Sequence, residues 1–355
     1  MGPIPGQGHA LAAEILQEIQ NPDFLAQKID PIRNAALVVR FSRSGYNQAS
    51  FLDDRNFTAQ TQRAWIPFAQ LHSALAGIRD SKPVHFIFHA GHVGSTLLSR
   101  LIEDGGGTLH IREPLPLRTL AEMSDQLGEA ESLWSEAEFD LALAAQLKLW
   151  SRGYPGIRAC VVKATSTAAR LGVRLLGAVP SARAVYLNLA AEPYLAALLA
   201  GENSPLDLRG HAVERAHRLK RLLAAPPPPL HTLSLGELAA MAWLTERWTQ
   251  KRTLEAHGER VLSLDFDELL ADIAGTVARA AQHLRLDLAP AYLAALPKHP
   301  LLARYAKATE HAYSPALRAE ILAQSRARNA GEIRRGLAWL ERVAAADEEA
   351  ASVLP

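Results

Sequence analysis

From Lys82 onward the chain alternates short, continuously apolar runs with longer stretches whose apolar positions recur every three or four residues. Val84–Phe88, Thr108–Ile111, Ala159–Val162, Ala184–Leu189 and Val261–Leu264 read as strands. Thr96–Glu103, Glu138–Ser151, Thr167–Leu176, Pro193–Ala200 and Leu235–Ala256 read as helices. Strands apolar at every position are covered on both faces. Separated by helices, they predict an α/β fold of three layers, a parallel sheet with helices on either side. In such a sheet a ligand binds at the carboxyl ends of the strands, near the first strand-to-helix turn. The longest helix opens on a capping box, Ser234 with Glu237, and meets a glycine stop at Gly258.

Residues 1–80 read as an accessory cap without evident chemistry. It holds a helix over Leu11–Ile19, a strand over Ala36–Phe41, a turn at Ser42–Asn47 and a polar loop at Phe51–Arg55. Residues 81–300 carry the alternating pattern, and 301–355 form a helical tail packed on it, with Ser314-Pro315 as cap and first helical position. Two segments interrupt the alternation. Ser124–Asp140 is acid-rich and solvated; Glu202–Pro229 carries Arg209, His211, Arg215, His217, Arg218, Lys220 and Arg221 before four prolines. The second reads as a solvated basic helix, with a lid over an anionic ligand as the alternative.

Composition narrows the class. The 355 residues are 48% hydrophobic and 21% charged, and 38 Lys+Arg against 37 Asp+Glu give a formal charge of +1. That balance argues against nucleic acid or a membrane surface as main partner. The single cysteine, Cys160, lies in an apolar run; it excludes an intrachain disulfide and reads as a core residue. No apolar run reaches the ~18 residues of a membrane span, and Met1–Pro5 has no signal-like pattern. The expectation is a cytoplasmic, bacterial protein.

Chemistry concentrates at His89-Ala90-Gly91-His92-Val93-Gly94-Ser95-Thr96-Leu97-Leu98-Ser99-Arg100. A buried strand, a glycine turn and a helix start place backbone N–H groups and the helix dipole where they attract an oxyanion. Gly91 and Gly94 permit close approach, while Ser95 and Thr96 add hydroxyl donors. A nucleotide-hydrolysing P-loop has a lysine before the Ser/Thr; here no lysine lies between His85 and Arg100, which disfavours an ordinary Mg-nucleotide hydrolase.

Phe86–Arg100 resembles the sulfonate-donor loop of the P-loop sulfotransferase family, where Pro-Arg/Lys-Ser-Gly-Thr-Thr-Leu follows an apolar strand. Three further segments keep the family's order. Ile111–Arg118 is similar to the acidic segment of tyrosylprotein-sulfotransferase-like bacterial members, Val162–Ser166 to their Lys-Asp/Thr-Pro strand end, and Trp243–Leu270 to their tryptophan helix and following strand. The resemblance implies a P-loop NTPase-like sheet and sulfuryl transfer from phosphoadenosine phosphosulfate (PAPS) to an acceptor hydroxyl or amine, without a metal. It makes Glu113 the general base and His92 the residue at the sulfonate. The donor would be held by Gly91, His92, Val93, Gly94, Ser95, Thr96, Lys163 and Lys307, and the acceptor would be a small molecule, carbohydrate or peptide.

The chain departs from that pattern in three places. His92, only partly cationic at a reference pKa of ~6.5, stands where the family has Lys or Arg. Leu189 and Ala197 stand where an Arg and a Ser grip the donor's 3′-phosphate, and the late Arg-Lys-Gly loop has its nearest counterpart in Arg304–His311. A P-loop small-molecule kinase, with Asp265 as magnesium ligand, and a non-catalytic nucleotide or anion binder therefore stay open. His89 reads as a hydrogen-bonded core histidine, Trp243 and Trp248 as packing residues, and Arg118, Arg170 and Arg174 as surface arginines.

Overall fold

The computed structural model describes residues 7–78, 80–224 and 226–354. The N-terminal part runs α1 (Gln7–Glu18), β1 (Phe24–Asp30), β2 (Ala35–Arg40), α2 (Arg43–Gln48), β3 (Arg63–Pro67) and α3 (Phe68–Ala74). Its strands form an antiparallel sheet in the order β1-β2-β3. The segment read as a turn at Ser42–Asn47 is instead the short helix α2, because the Ser42 hydroxyl accepts from Gly45 N–H and caps it.

The alternating region follows as β4 (Val84–His89), α4 (Ser95–Asp104), β5 (Thr108–Arg112), α5 (Leu115–Gln126), α6 (Glu136–Trp150), β6 (Ala159–Lys163), α7 (Gly172–Ala178), β7 (Ala184–Asn188) and α8 (Ala191–Leu199). It continues through α9 (Ser204–Gly210), α10 (Ala212–Leu222), α11 (Leu235–His257), β8 (Val261–Asp265), α12 (Phe266–Ala271), α13 (Ile273–His283) and α14 (Pro290–Ala295). A two-stranded hairpin, β9 (Arg304–Tyr305) and β10 (Ala308–Ala312), precedes α15 (Pro315–Arg328), α16 (Ala330–Ala346) and α17 (Glu348–Ala351).

The main sheet has five strands in the order β5-β6-β4-β7-β8, all parallel. This is the α/β sandwich that the uniformly apolar runs predict. Alternate side chains of each strand feed separate cores. Phe86, Phe88, Ile111, Val162 and Tyr186 join β1–β3, α5 and α6 on one face; Ile87, Val161, Val185 and Leu187 join α8, α11, α13 and α16 on the other. The N-terminal residues therefore share a core with the main sheet. Arg152 fastens them, its buried guanidinium donating to the carbonyls of Ile19, Asn21 and Phe24.

Two regions differ from the sequence pattern. Thr167–Leu176 is split: Ser166–Leu171 is a 3₁₀ turn and α7 starts only at Gly172. Glu202–Pro229 is not a solvated helix but the pair α9 and α10, with Arg215 and Arg218 buried. Arg218 reaches Glu214 at 3.1 Å and Glu246 at 2.9 Å. Arg170, read as a surface arginine, is drawn into the same region by Asp125 at 2.7 Å and Glu214 at 3.2 Å. A pattern of positive charges cannot reveal carboxylates that fold in from elsewhere. In the C-terminal part, α16 crosses α11 where Gly236 and Gly336 meet, so closely that a Cβ on Gly336 would lie 2.5 Å from the Gly236 carbonyl oxygen. Among the described residues no helix is long and apolar enough to cross a membrane.

Candidate active site

The central strand β4 ends at His89, whose neutral ring braces the turn that follows. Its Nε2 donates to the Ala164 carbonyl at 2.9 Å and its Nδ1 accepts from Gly91 N–H at 3.0 Å. Burial drives its pKa well below the ordinary value, consistent with that neutral pairing. Gly91 (φ 97°), His92 (φ 55°) and Gly94 (φ 69°) then take left-handed backbone. Gly94 has no room for a side chain, since a Cβ would lie 2.2 Å from the Phe266 ring. Helix α4 has Gly94 as its N-cap and therefore no side-chain cap, so its first N–H groups remain available at the cavity they line. Thr96, 1% exposed, has its Oγ1 buried without a partner. A polar atom so placed implies a ligand or water that completes it.

Beside this turn, β5 and β6 end on a second pair. Glu113, at φ 50°, donates its N–H to the Lys163 carbonyl at 2.7 Å, and its Oε1 accepts from Lys163 Nζ. Lys163 has no solvent exposure, and burial lowers its pKa to about 8 despite the opposing pull of Glu113. Glu113 and His92 are thus both non-glycine residues held in left-handed conformations, a strain that costs on the order of 1–3 kcal/mol each and collects at functional sites. The His92 ring is crowded by protein yet keeps an open face. Burial and then the charge of Lys307 push its pKa down to about 4; the open face moderates the burial effect, but the direction gives a neutral ring at pH 7.

A cavity of about 470 Å³ opens over the turn, lined by His92–Leu97, Ala197, Phe266, the β9–β10 hairpin residues Arg304, Tyr305, Lys307 and His311, and Arg318 of α15. The position read as lacking a phosphate-gripping serine, Ala197, faces this cavity, whereas Leu189 is buried in the core. Basic side chains that do line the cavity are Arg304 and Lys307 of the hairpin and Arg318 of α15. A second cavity, about 400 Å³, is lined by Phe41, Phe51, Arg55, Asn56 and again Lys307. The 47–56 loop reaches the site because two arginines hold it. Arg112, wholly buried, donates to the Tyr46 and Ala49 carbonyls at 3.0 and 3.1 Å. Arg100 of α4 donates to the Asn47 and Gln48 carbonyls, to Ser50 Oγ and to the Ala306 carbonyl of the hairpin.

The structure thus brings Gly91–Thr96, Glu113, Lys163 and Lys307 to one end of the sheet. Asp265, the carboxylate a kinase would need, accepts from Asp267 and Glu268 N–H and caps α12. Trp243 is a packing residue whose indole donates to the Leu189 carbonyl at 2.8 Å. The sequence reading missed Phe51 and Arg55, on a loop with no chemical motif, and Tyr194, whose hydroxyl donates to the Ala90 carbonyl at 3.0 Å.

No protein-family model and no curated protein sequence matches this chain. Solved structures that it resembles include sulfotransferases. The sulfotransferase of Alicyclobacillus acidocaldarius is 18% identical over 73% of this chain and 99% of its own, at a TM-score of 0.39. One from Mycobacterium avium is 12% identical over 92% and 98%, at 0.41. Retinol dehydratase in a complex with retinol and PAP is 14% identical over 88% and 96%, at 0.31. At TM-scores no higher than 0.41 these likenesses carry no residue's role across to this chain.

Proposed function

We propose that this protein is a sulfotransferase-like enzyme that moves a sulfuryl group from PAPS to the hydroxyl of a small-molecule acceptor. The observation that supports this most is the meeting of an uncapped, lysine-free anion turn with the Glu113–Lys163 pair at the ends of three adjacent strands. The turn offers N–H donors and the Thr96 hydroxyl to a phosphosulfate; Lys307, between the two cavities, offers positive charge. Arg304, His311 and Arg318 line the rest of the donor cavity and take the place of the missing Arg/Ser grip.

The donor supplies an activated S–O bond, which breaks with its electron pair leaving on the phosphate side. Groups aimed at the oxygen where that charge develops lower the barrier most. Glu113 takes the acceptor's proton through the oxygen that Lys163 does not engage, and Lys163 fixes the carboxylate in place. The acceptor enters through the second cavity, where Phe51 offers an apolar face next to Arg55 and Lys307.

Calorimetric titration with adenosine 3′,5′-bisphosphate beside Mg-ATP, with and without EDTA, tests the donor assignment. Micromolar, EDTA-indifferent binding of the bisphosphate is expected; preference for Mg-ATP would replace this reading with a kinase. Glu113→Gln should lower PAPS-dependent sulfation about 10²- to 10⁴-fold while bisphosphate binding is kept. Activity that survives the change would remove Glu113 as base.

A further inference from the structure

The second cavity holds charge of one sign. Its walls carry two cations, Arg55 and Lys307, and no carboxylate among the described residues that line it. Both cations rest against the same ring. The Arg55 guanidinium carbon lies 4.8 Å and Lys307 Nζ 5.5 Å from the centre of Phe51. Arg55 is also aimed. Asp53 accepts from its Nε at 2.9 Å and from its Nη2 at 2.6 Å, which occupies one edge of the guanidinium and leaves the edge ending in Nη1 to a ligand.

Two further contacts join this cavity to the reacting centre. Leu52, next to Phe51, donates its N–H at 2.9 Å to the carbonyl of Arg112, the residue before Glu113. Lys307 lines the donor cavity as well, so the two cavities adjoin at its side chain. The charges then select among anions. With Asp53 set against Arg55, the cluster of Arg55, Lys307 and Asp53 keeps one net positive charge. That matches a carboxylate, whereas a phosphate monoester carries close to two negative charges at neutral pH.

We propose that the second cavity is a carboxylate subsite and that the acceptor is a small hydroxy acid. Arg55 and Lys307 take its carboxylate, and its hydroxyl is presented to Glu113. This rests on the reading of the cavity as the acceptor's entrance. The carboxylate takes no part in bond making. The hydroxyl oxygen bonds to sulfur as the sulfur–oxygen bond to the donor phosphate breaks, and the hydroxyl proton passes to Glu113.

The test sets 4-hydroxyphenylacetate and 3-hydroxybutyrate each against its methyl ester. Binding is read by calorimetry on free and bisphosphate-loaded protein, and sulfation is read with PAPS. In wild type at least one acid should bind about 10- to 100-fold more tightly than its ester, and added salt should shrink the difference. Arg55→Met should bring that ratio close to one; the side chain is 70% exposed, so the variant keeps its core. A ratio near one in wild type, or one unmoved in both Arg55→Met and Lys307→Met, would overturn the inference. So would faster sulfation of the esters, or no binding of either acid below about 10 mM. Each of these with bisphosphate binding intact leaves the proposed function standing. Acids bound by a protein that does not bind the bisphosphate would instead keep the subsite and sink the sulfotransferase reading.

Discussion

Replacing Glu113 by alanine should change how stability depends on pH as well as the reaction rate. Lys163 has no solvent exposure, and Glu113 is the carboxylate that pairs with it. Breaking a buried pair from one side destabilises by about 3–5 kcal/mol, because the remaining charge is left without compensation. In the intact protein burial lowers the Lys163 pKa from 10.5 to about 8, with Glu113 opposing the shift. Between about pH 8 and 10.5 the unfolded chain therefore carries one more proton than the folded one. Stability from this group rises across that window at about 1.4 kcal/mol per pH unit. Below pH 8 the contribution is flat. Removing Glu113 takes away the interaction that raises the lysine, so the rising window must open at lower pH. Urea unfolding of wild type, Glu113→Ala and Glu113→Ala/Lys163→Met at pH 7.0, 7.5 and 8.0 is the assay. The single variant should gain about 1.4 kcal/mol relative to wild type between the end points, and the double variant should lose that extra slope. Identical pH dependence in wild type and Glu113→Ala would refute the assignment of a buried, pair-stabilised Lys163.

Thr96→Val removes a buried hydroxyl without a partner, so stability should hold or rise by up to about 1 kcal/mol while bisphosphate affinity falls; denaturation and calorimetry check both. Gly94→Ala combines left-handed backbone with a 2.2 Å approach to Phe266, and a loss of about 2–4 kcal/mol with weakened anion binding is expected in the same measurements. His110 is fully buried with its pKa lowered by burial to about 3. Because the unfolded chain takes up the proton first, stability falls as pH drops from about 6.5 toward 3, and His110→Gln should flatten that decline by about 1.4 kcal/mol per pH unit. Arg218→Met leaves Glu246 buried and unpaired, which should cost about 3–5 kcal/mol, largely recovered by adding Glu246→Leu.

The main sheet was legible because its strands lie under helices on both faces, so burial is written into every residue from Val84 to Phe88 and from Ala159 to Val162. The turn was legible for a related reason: left-handed backbone demands glycine at positions 91 and 94. What stayed hidden depends on contacts between distant segments. Nothing local to Phe51 shows that Arg112 and Arg100 hold its loop against the end of β5. Arg170 and Arg218 have the sequence setting of exposed helix residues, and only the assembled fold brings Asp125 and Glu246 to them. Glu113 and Lys163 lie 50 positions apart, and strand order alone makes them a pair.

Arg100 gives the mouth of the site a mechanical character. One guanidinium, anchored in the second turn of the helix that begins at the anion turn, holds the hairpin through Ala306 and the opposing loop through Asn47, Gln48 and Ser50. Neither rim can swing outward without stripping acceptors from the same side chain, so the two walls behave as one gate rather than two doors. Ligand entry and escape at both cavities should then share a single opening rate.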